Sequence, residues 1–242
     1  IQSMNYGDIP ITTVENPEGN IGFFSPRTNV FNIGYARTFS SSIYGGINFK
    51  VISENISNLK ATGIAIDAGI RYVTGEQEQV KFGITLKNVG PVMKYKGDGL
   101  AQQAAYVTTG FIASLEERSS AFEMPSLLSI GGSYDFILNE SNKLNLGLGF
   151  TANSFSNDQY RIGLDYGMTN ERMAFNVRGG YVYEKNLLDV ENRSNALVGP
   201  TAGFSIDALV GKSKNALGVE YCARFAGIFG TIHTIGATIS LK

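Results

Sequence analysis

Apolar and polar residues alternate almost one for one from Lys143 to Glu184, in three consecutive runs. Leu144, Leu146, Leu148, Phe150 and Ala152 share one parity, and Asn145, Gly147, Gly149, Thr151 and Asn153 the other. Arg161–Met168 repeats the plan, with Ile162, Leu164, Tyr166 and Met168 against Arg161, Gly163, Asp165 and Gly167. Met173–Glu184 sets Met173, Phe175, Val177, Tyr181 and Tyr183 against Ala174, Asn176, Arg178, Gly180 and Glu184. Side chains on a strand point to alternate faces, so these runs predict a sheet apolar on one side and polar on the other. The polar parity carries glycine and charge where a soluble sandwich would place a Lys/Glu/Thr surface. Such a face suits an antiparallel transmembrane β-barrel, with lipid outside and a crowded polar interior.

The rest of the chain extends the pattern. Ile1–Tyr6 reads as a short strand and Gly7–Val30 as a loop broken by Pro10, Pro17 and Pro26. Strands follow at Phe31–Phe39, Ile43–Val51, Thr62–Val73 and Val80–Asn88, the last with Val80, Phe82, Ile84 and Leu86 against Lys81, Gly83, Thr85 and Lys87. Leu127–Phe136 resumes the alternation before the three runs above, and Val198–Val210, Lys214–Phe225 and Ile232–Lys242 close the chain. The total is about twelve strands of roughly ten residues, the length a tilted strand needs to cross a bilayer. Ser40–Ser42, Thr74–Gln79, Leu138–Asn142, Thr169–Arg172 and Gly211–Ser213 are short connections; Ile52–Lys60, Val89–Met124 and Lys185–Ala196 are longer ones. Short turns on one rim and long loops on the other are the habit of outer-membrane barrels, with the short rim periplasmic. That places the C-terminus in the periplasm and the long loops outside the cell.

Composition is compatible with this. All 242 residues read as a single barrel domain, no apolar run reaches the length of a membrane-spanning helix, and mean hydropathy is near zero, as alternation requires. Charged residues make up 17%, against about 25% in ordinary soluble domains. A net charge of -1 without a basic run gives nucleic acid no electrostatic hold. The single Cys222 forms no internal disulfide and reads as a small packed residue. His233, the only histidine, lacks partners for a metal site or a general-base pair and reads as structural or interfacial. The glycine pairs 45–46, 131–132 and 179–180 suit sheet curvature, not a phosphate loop. We therefore expect no enzyme, no cofactor and no metal.

Two sets of residues are candidates for function. Asp67 with Arg71, Arg161 with Asp165, and Glu220 with Arg224 are opposite charges four apart on the polar face. Four residues span about 13 Å along a strand, so each charge needs a partner on a neighbouring strand. The expectation is a self-neutralising network in the lumen. In Val89–Met124, Tyr106, Phe111, Ile112 and Leu115 form an apolar group, the last three at helix-like spacing, beside the polar run Glu116-Glu117-Arg118. Such a patch on a wet rim is a docking surface for a protein partner; the competing expectation is that the segment folds inward as a plug.

Several stretches resemble the PorV family of type IX secretion: Gly7–Thr13, Phe82–Ile84 with Lys87–Gly90, Tyr95–Leu100, Phe122–Ser126, Phe150–Phe155 and Phe229–Gly236, in that order along nearly the whole chain. The resemblance implies a FadL-like outer-membrane barrel of fourteen strands, preceded by a signal peptide and further strands that this sequence does not include. It implies a non-enzymatic part in export. Such proteins receive cargo through its C-terminal signal domain from a large translocon barrel and pass it to a surface sortase complex. The alternative the shared fold allows is a FadL-like transporter of hydrophobic solutes.

Overall fold

The computed structural model describes the chain apart from residues 106–111, 187–194, 196, 211–214, 228–229 and 241–242. The strands, in order, are β1 (Gln2–Asn5), β2 (Ile9–Pro10), β3 (Phe23–Phe24), β4 (Arg27–Thr38), β5 (Ile43–Ile56), β6 (Leu59–Thr74), β7 (Val80–Val89), β8 (Met93–Lys96), β9 (Ala101–Ala105), β10 (Ile112–Glu116), β11 (Ala121–Phe122), β12 (Leu127–Ile137), β13 (Asn142–Asn153), β14 (Gln159–Thr169), β15 (Met173–Glu184), β16 (Gly199–Val210), β17 (Asn215–Phe225) and β18 (Thr231–Ser240). A 3-10 turn at Asp98–Leu100 separates β8 from β9. The main sheet is fourteen-stranded. Its ladder runs β1-β4-β5-β6-β7-β12-β13-β14-β15-β16-β17-β18, with β8 and β11 off that path. The all-β, antiparallel architecture predicted from the alternation is the one observed. The ladder is a line with ends at β1 and β18, and among the described residues no pairing joins them.

Two compact units divide the chain. One comprises Arg37–Gly45, Gly69–Leu86 and Ser126–Lys242 and contains β12 to β18. Its registers carry the two faces from strand to strand without a slip. Leu146 stands opposite Tyr134 and Leu164, and Tyr166 opposite Leu144 and Val177. Phe204 then faces Val177 and Tyr221, and Tyr221 faces Ile235. A one-residue slip would move a whole apolar set to the other face, so the pattern itself fixes the register. These side chains are not a core. Leu148 is 58% and Leu164 51% exposed. The buried apolar residues are instead small or few: Ala61, Ala65, Val73, Met93, Val198 and Ala226.

The other unit comprises Ile1–Ala36, Gly46–Ala68 and Lys87–Pro125. Here β1 pairs with the start of β4, and β2 with β3 in a small hairpin inside the stretch expected to be loop. Two further expectations are corrected. Ile52–Lys60 is not a long connection: β5 runs to Ile56, β6 starts at Leu59, and Ser57-Asn58 is the turn, with Ser57 at φ 50°. Alternation lapses there because Ser53, Glu54 and Asn55 are polar on both faces, which hides a strand from a period-two reading. Nor is Val89–Met124 structureless. It folds into β8, the 3-10 turn, the β9–β10 hairpin and β11.

Candidate functional site

The polar face of the β12–β18 unit is organised by register. Asp135, Asn145, Asp165, Arg178 and Gly203 are successive partners across five strands, so their side chains share one row. Arg178 Nε donates to Asp165 Oδ2 at 2.9 Å, one Nη donates to Ser205 Oγ at 3.2 Å, and the other lies 3.7 Å from Glu220 Oε2. One planar guanidinium thus serves β14, β16 and β17 together, which a lysine could not do in the same geometry. Asp135, 6% exposed, is held by Lys81, by Asn145 and by Lys143 Nζ at 3.1 Å. A third chain runs from Arg161, which donates to Gln159 Oε1 at 2.9 Å, to Glu184, which accepts from Gln159 Nε2 at 3.1 Å; Glu184 is 1% exposed.

Asn145, Arg161, Asp165, Arg178 and Glu220 border a concavity of about 570 Å³, with Gly147, Gly163, Gly180 and Gly203 in its lining. Cys222 lines it as well and stands opposite Gly203 in the row of Arg178, so the lone thiol faces the polar side. His233 faces the other way: it stands opposite Ala223, stacks on Tyr221 with ring centroids 5.9 Å apart, and its Nδ1 shares a 2.6 Å hydrogen bond with the Tyr221 hydroxyl. It is a residue of the apolar face. Among the described residues no three His, Cys, Asp or Glu side chains gather as metal ligands.

The second polar cluster lies in the other unit. Asp67 Oδ2 pairs with Lys50 Nζ at 2.7 Å and accepts from Asn48 Nδ2 at 3.2 Å, while its Oδ1 accepts the Asn88 amide at 2.9 Å. Strict alternation would turn Asn88 to the apolar side with Leu86. Its φ of 58° rotates the chain instead, so the Asn88 Oδ1 accepts from Lys50 at 2.9 Å and its Nδ2 donates to the Pro125 carbonyl at 2.9 Å. Asparagine tolerates this left-handed conformation better than most residues.

In the same unit the long connection adds a strand beside β6. β8 pairs with the start of β6, Lys96 with Lys60 and Tyr95 with Ala61. Met93, 1% exposed, lies over Gly63, where an added Cβ would stand 2.6 Å from the Met93 Cγ. The Tyr95 hydroxyl donates to Glu54 Oε2 at 2.8 Å, and its ring stacks on Phe122 at 5.3 Å. Burial, reinforced by the Glu54 carboxylate, pushes the Tyr95 phenol up to about 12.

Of the expected lumen charges, Asp67 and Asp165 find basic partners on neighbouring strands, Glu220 lies 3.7 Å from Arg178 two strands away, and Arg161 reaches Glu184 through Gln159. Arg71 and Arg224 lie on the same polar parity and make none of the ion pairs seen among the described residues. The hubs Lys50, Lys81, Asp135 and Arg178 were absent from the expected set, because only the register shows which acid meets which base. Of the expected docking group, Tyr106 and Phe111 lie outside the described residues. Ile112 and Leu115 belong to strand β10, not a helix.

No family model and no curated protein matches this chain. Among solved structures it is similar to the β domain of the Bordetella autotransporter Brka, at 18% identity and a TM-score of 0.47, over 88% of this chain and 89% of that one.

Proposed function

We propose that the chain is a β-barrel protein of a bacterial outer membrane, with its short turns and C-terminus periplasmic and its long connection outside the cell. One observation carries this reading: a mainly apolar face, with many large side chains such as Leu148, Leu164, Tyr181 and Ile235 exposed, runs across β12–β18, while the opposite face holds the ion pairs. In water such a face would aggregate; against acyl chains it is the favourable one. No described helix is long and apolar enough to cross a membrane; in this reading the strands do so.

Within that role we infer a non-enzymatic part in protein export of the PorV kind, in which the chain accepts secreted cargo from a translocon barrel and hands it to surface attachment machinery. The motif resemblance supports this, and so does the built connection between β7 and β12. The paired strands β9 and β10 lie within it, closed at their base by the Glu117 amide donating to the Leu100 carbonyl at 2.9 Å.

That base makes a clean excision possible. Removing 101–116 and joining Leu100 to Glu117 through two glycines should leave an outer-membrane species with unchanged heat-modifiable gel mobility. Co-purification of cargo C-terminal signal domains or of the translocon should be lost. Unchanged co-purification rejects the hairpin as the docking element. A purified full chain that stays monomeric and folded without detergent rejects the membrane reading itself, and a lipid retained on the polar face beside Arg161 points to solute transport instead.

A further inference from the structure

Lys60 on β6 and Lys96 on β8 stand directly opposite each other across an antiparallel register. Side chains so placed have Cβ atoms about 5 Å apart, and like charges there repel. Lys94, two residues back along β8, points to the same side as Lys96 about 7 Å away. All three are exposed, and among the described residues none of them joins an ion pair. The acids of this region do not relieve them. Glu54 bonds Tyr95 on the opposite face, and Asp98 and Glu123, which follow β8 and β11, pair with none of the three. The side they occupy is the apolar one. Lys60 shares its parity on β6 with Thr62, Ile64 and Ile66, all exposed, whereas Ala61, Gly63 and Ala65 between them are buried. From the Ser57-Asn58 turn inward, the exposed side of β6 thus runs from ammonium to hydroxyl to hydrocarbon.

We propose that Lys60, Lys94 and Lys96 hold the headgroup of a phosphate-bearing lipid of the outer leaflet, whose acyl chains lie along Ile64 and Ile66. The site rests on the outer-membrane reading above, in which the rim that carries the long connection faces outward. The order of groups along β6 is the order in which a lipid presents its phosphate, its ester region and its chains. A phosphate among three ammonium groups removes the repulsion that the register builds in, so β6 and β8 hold together better with the lipid than without it. Lysine suits a headgroup that arrives by lateral diffusion, because a compact charge on a flexible stem needs no fixed angle of approach. The stem lies along apolar surface while its charge stays at the interface. An acidic soluble protein would neutralise the lysines but leave Ile64 and Ile66 without a partner, and that decides for lipid.

The test is native mass spectrometry of the full chain in a neutral detergent, with phosphatidic acid and phosphatidylcholine of equal chain length as competing probes. The unaltered chain should retain phosphatidic acid preferentially, and Lys60→Gln or Lys96→Gln should each weaken that preference about fivefold. Arg172→Gln, which removes one positive charge from the turn between β14 and β15, should leave it unchanged. Lys60→Glu separates the site from the fold. An opposite-charge pair with Lys96 should raise the temperature at which folded gel mobility is lost, while the lipid preference disappears. A preference that survives Lys60→Glu or the Lys60→Gln, Lys96→Gln double variant overturns the proposal, as does an equal loss in Arg172→Gln. Displacement of phosphatidic acid by an equal concentration of inorganic phosphate also overturns it, since the acyl chains then add nothing, and so does an acidic protein retained in place of lipid. Failure of the membrane reading looks different: the chain then stays folded and monomeric without detergent. A detergent-dependent chain with no lipid preference rejects the lysine site alone.

Discussion

The Asn88 side-chain amide donates to the Pro125 carbonyl at 2.9 Å and so joins the end of β7 to the start of β12 across thirty-six intervening residues (89–124). The same asparagine accepts from Lys50 and presents its amide to Asp67, so one left-handed residue ties the feet of the connection to the polar face.

Replacing Asn88 should therefore act in two separable ways. Asn88→Gly keeps the backbone conformation and loses the side-chain bonds, whereas Asn88→Ala also imposes a left-handed φ on a residue with a Cβ. We expect Asn88→Ala to cost about 1–2 kcal/mol more than Asn88→Gly. Urea unfolding of both variants in lipid vesicles measures the difference; equal stabilities would place the whole effect in the side chain.

Leu146 and Gly147 are adjacent on β13 and face opposite ways, Leu146 toward Leu164 and Gly147 toward Gly163. Leu146→Arg puts a charge among exposed apolar side chains and should cost about 2–4 kcal/mol if that face meets lipid near the midplane. Gly147→Arg enters the polar concavity, where nothing in the fold crowds a new Cβ: the nearest atom is 3.9 Å away. It should cost well under half as much. Similar losses at the two sites would mean that the outer face does not meet lipid.

Most of the strand plan was legible because period two is a property of the residue list alone: Met173–Glu184 was read with the bounds that β15 has. The Ser57-Asn58 hairpin was missed because its flanks are polar on both faces, so no alternation marks them. Charge partners were illegible for another reason. Asp165 lies four residues from Arg161, yet bonds Arg178, opposite it on β15, and that choice exists only once a register is set. Asn88 carried one further signal, an Asn-Val-Gly at a strand end, which marks a left-handed residue only when the break in alternation is taken as structure and not as the strand's end.

Two of the ion-pair hubs should respond differently to removal of the base. Arg178, Asp165 and Glu220 are each more than a third exposed, so water already screens them, and Arg178→Met should change stability by no more than about 1 kcal/mol. Asp135 is buried, and Lys81→Met leaves it only Lys143, half in solvent, and Asn145. We expect a loss of about 2–3 kcal/mol, recovered in large part by adding Asp135→Asn, which removes the charge that lost its partner. A double-mutant cycle on Lys81 and Asp135 is the measurement, and additivity of the two changes would contradict the pairing.

The hydrogen bond from the Tyr95 hydroxyl to Glu54 makes a pH prediction whose sign is fixed. Tyr95 is held protonated first by its burial and then by the Glu54 carboxylate that accepts its hydroxyl, with a smaller repulsive contribution from Tyr6, and its phenol rises from 10 to about 12. An acid whose folded value is raised keeps its proton where the unfolded chain has lost it. The stabilisation is thus complete below pH 10 and disappears as the pH climbs through about 12. Ultraviolet titration of the folded protein should show a phenolate step near that upper value, absent in Tyr95→Phe. Glu54→Gln should bring the step down, because a neutral amide accepts the hydroxyl proton more weakly and repels no phenolate. If the upper step survives Tyr95→Phe, it belongs to another tyrosine, and burial with the Glu54 carboxylate does not raise the Tyr95 phenol in solution.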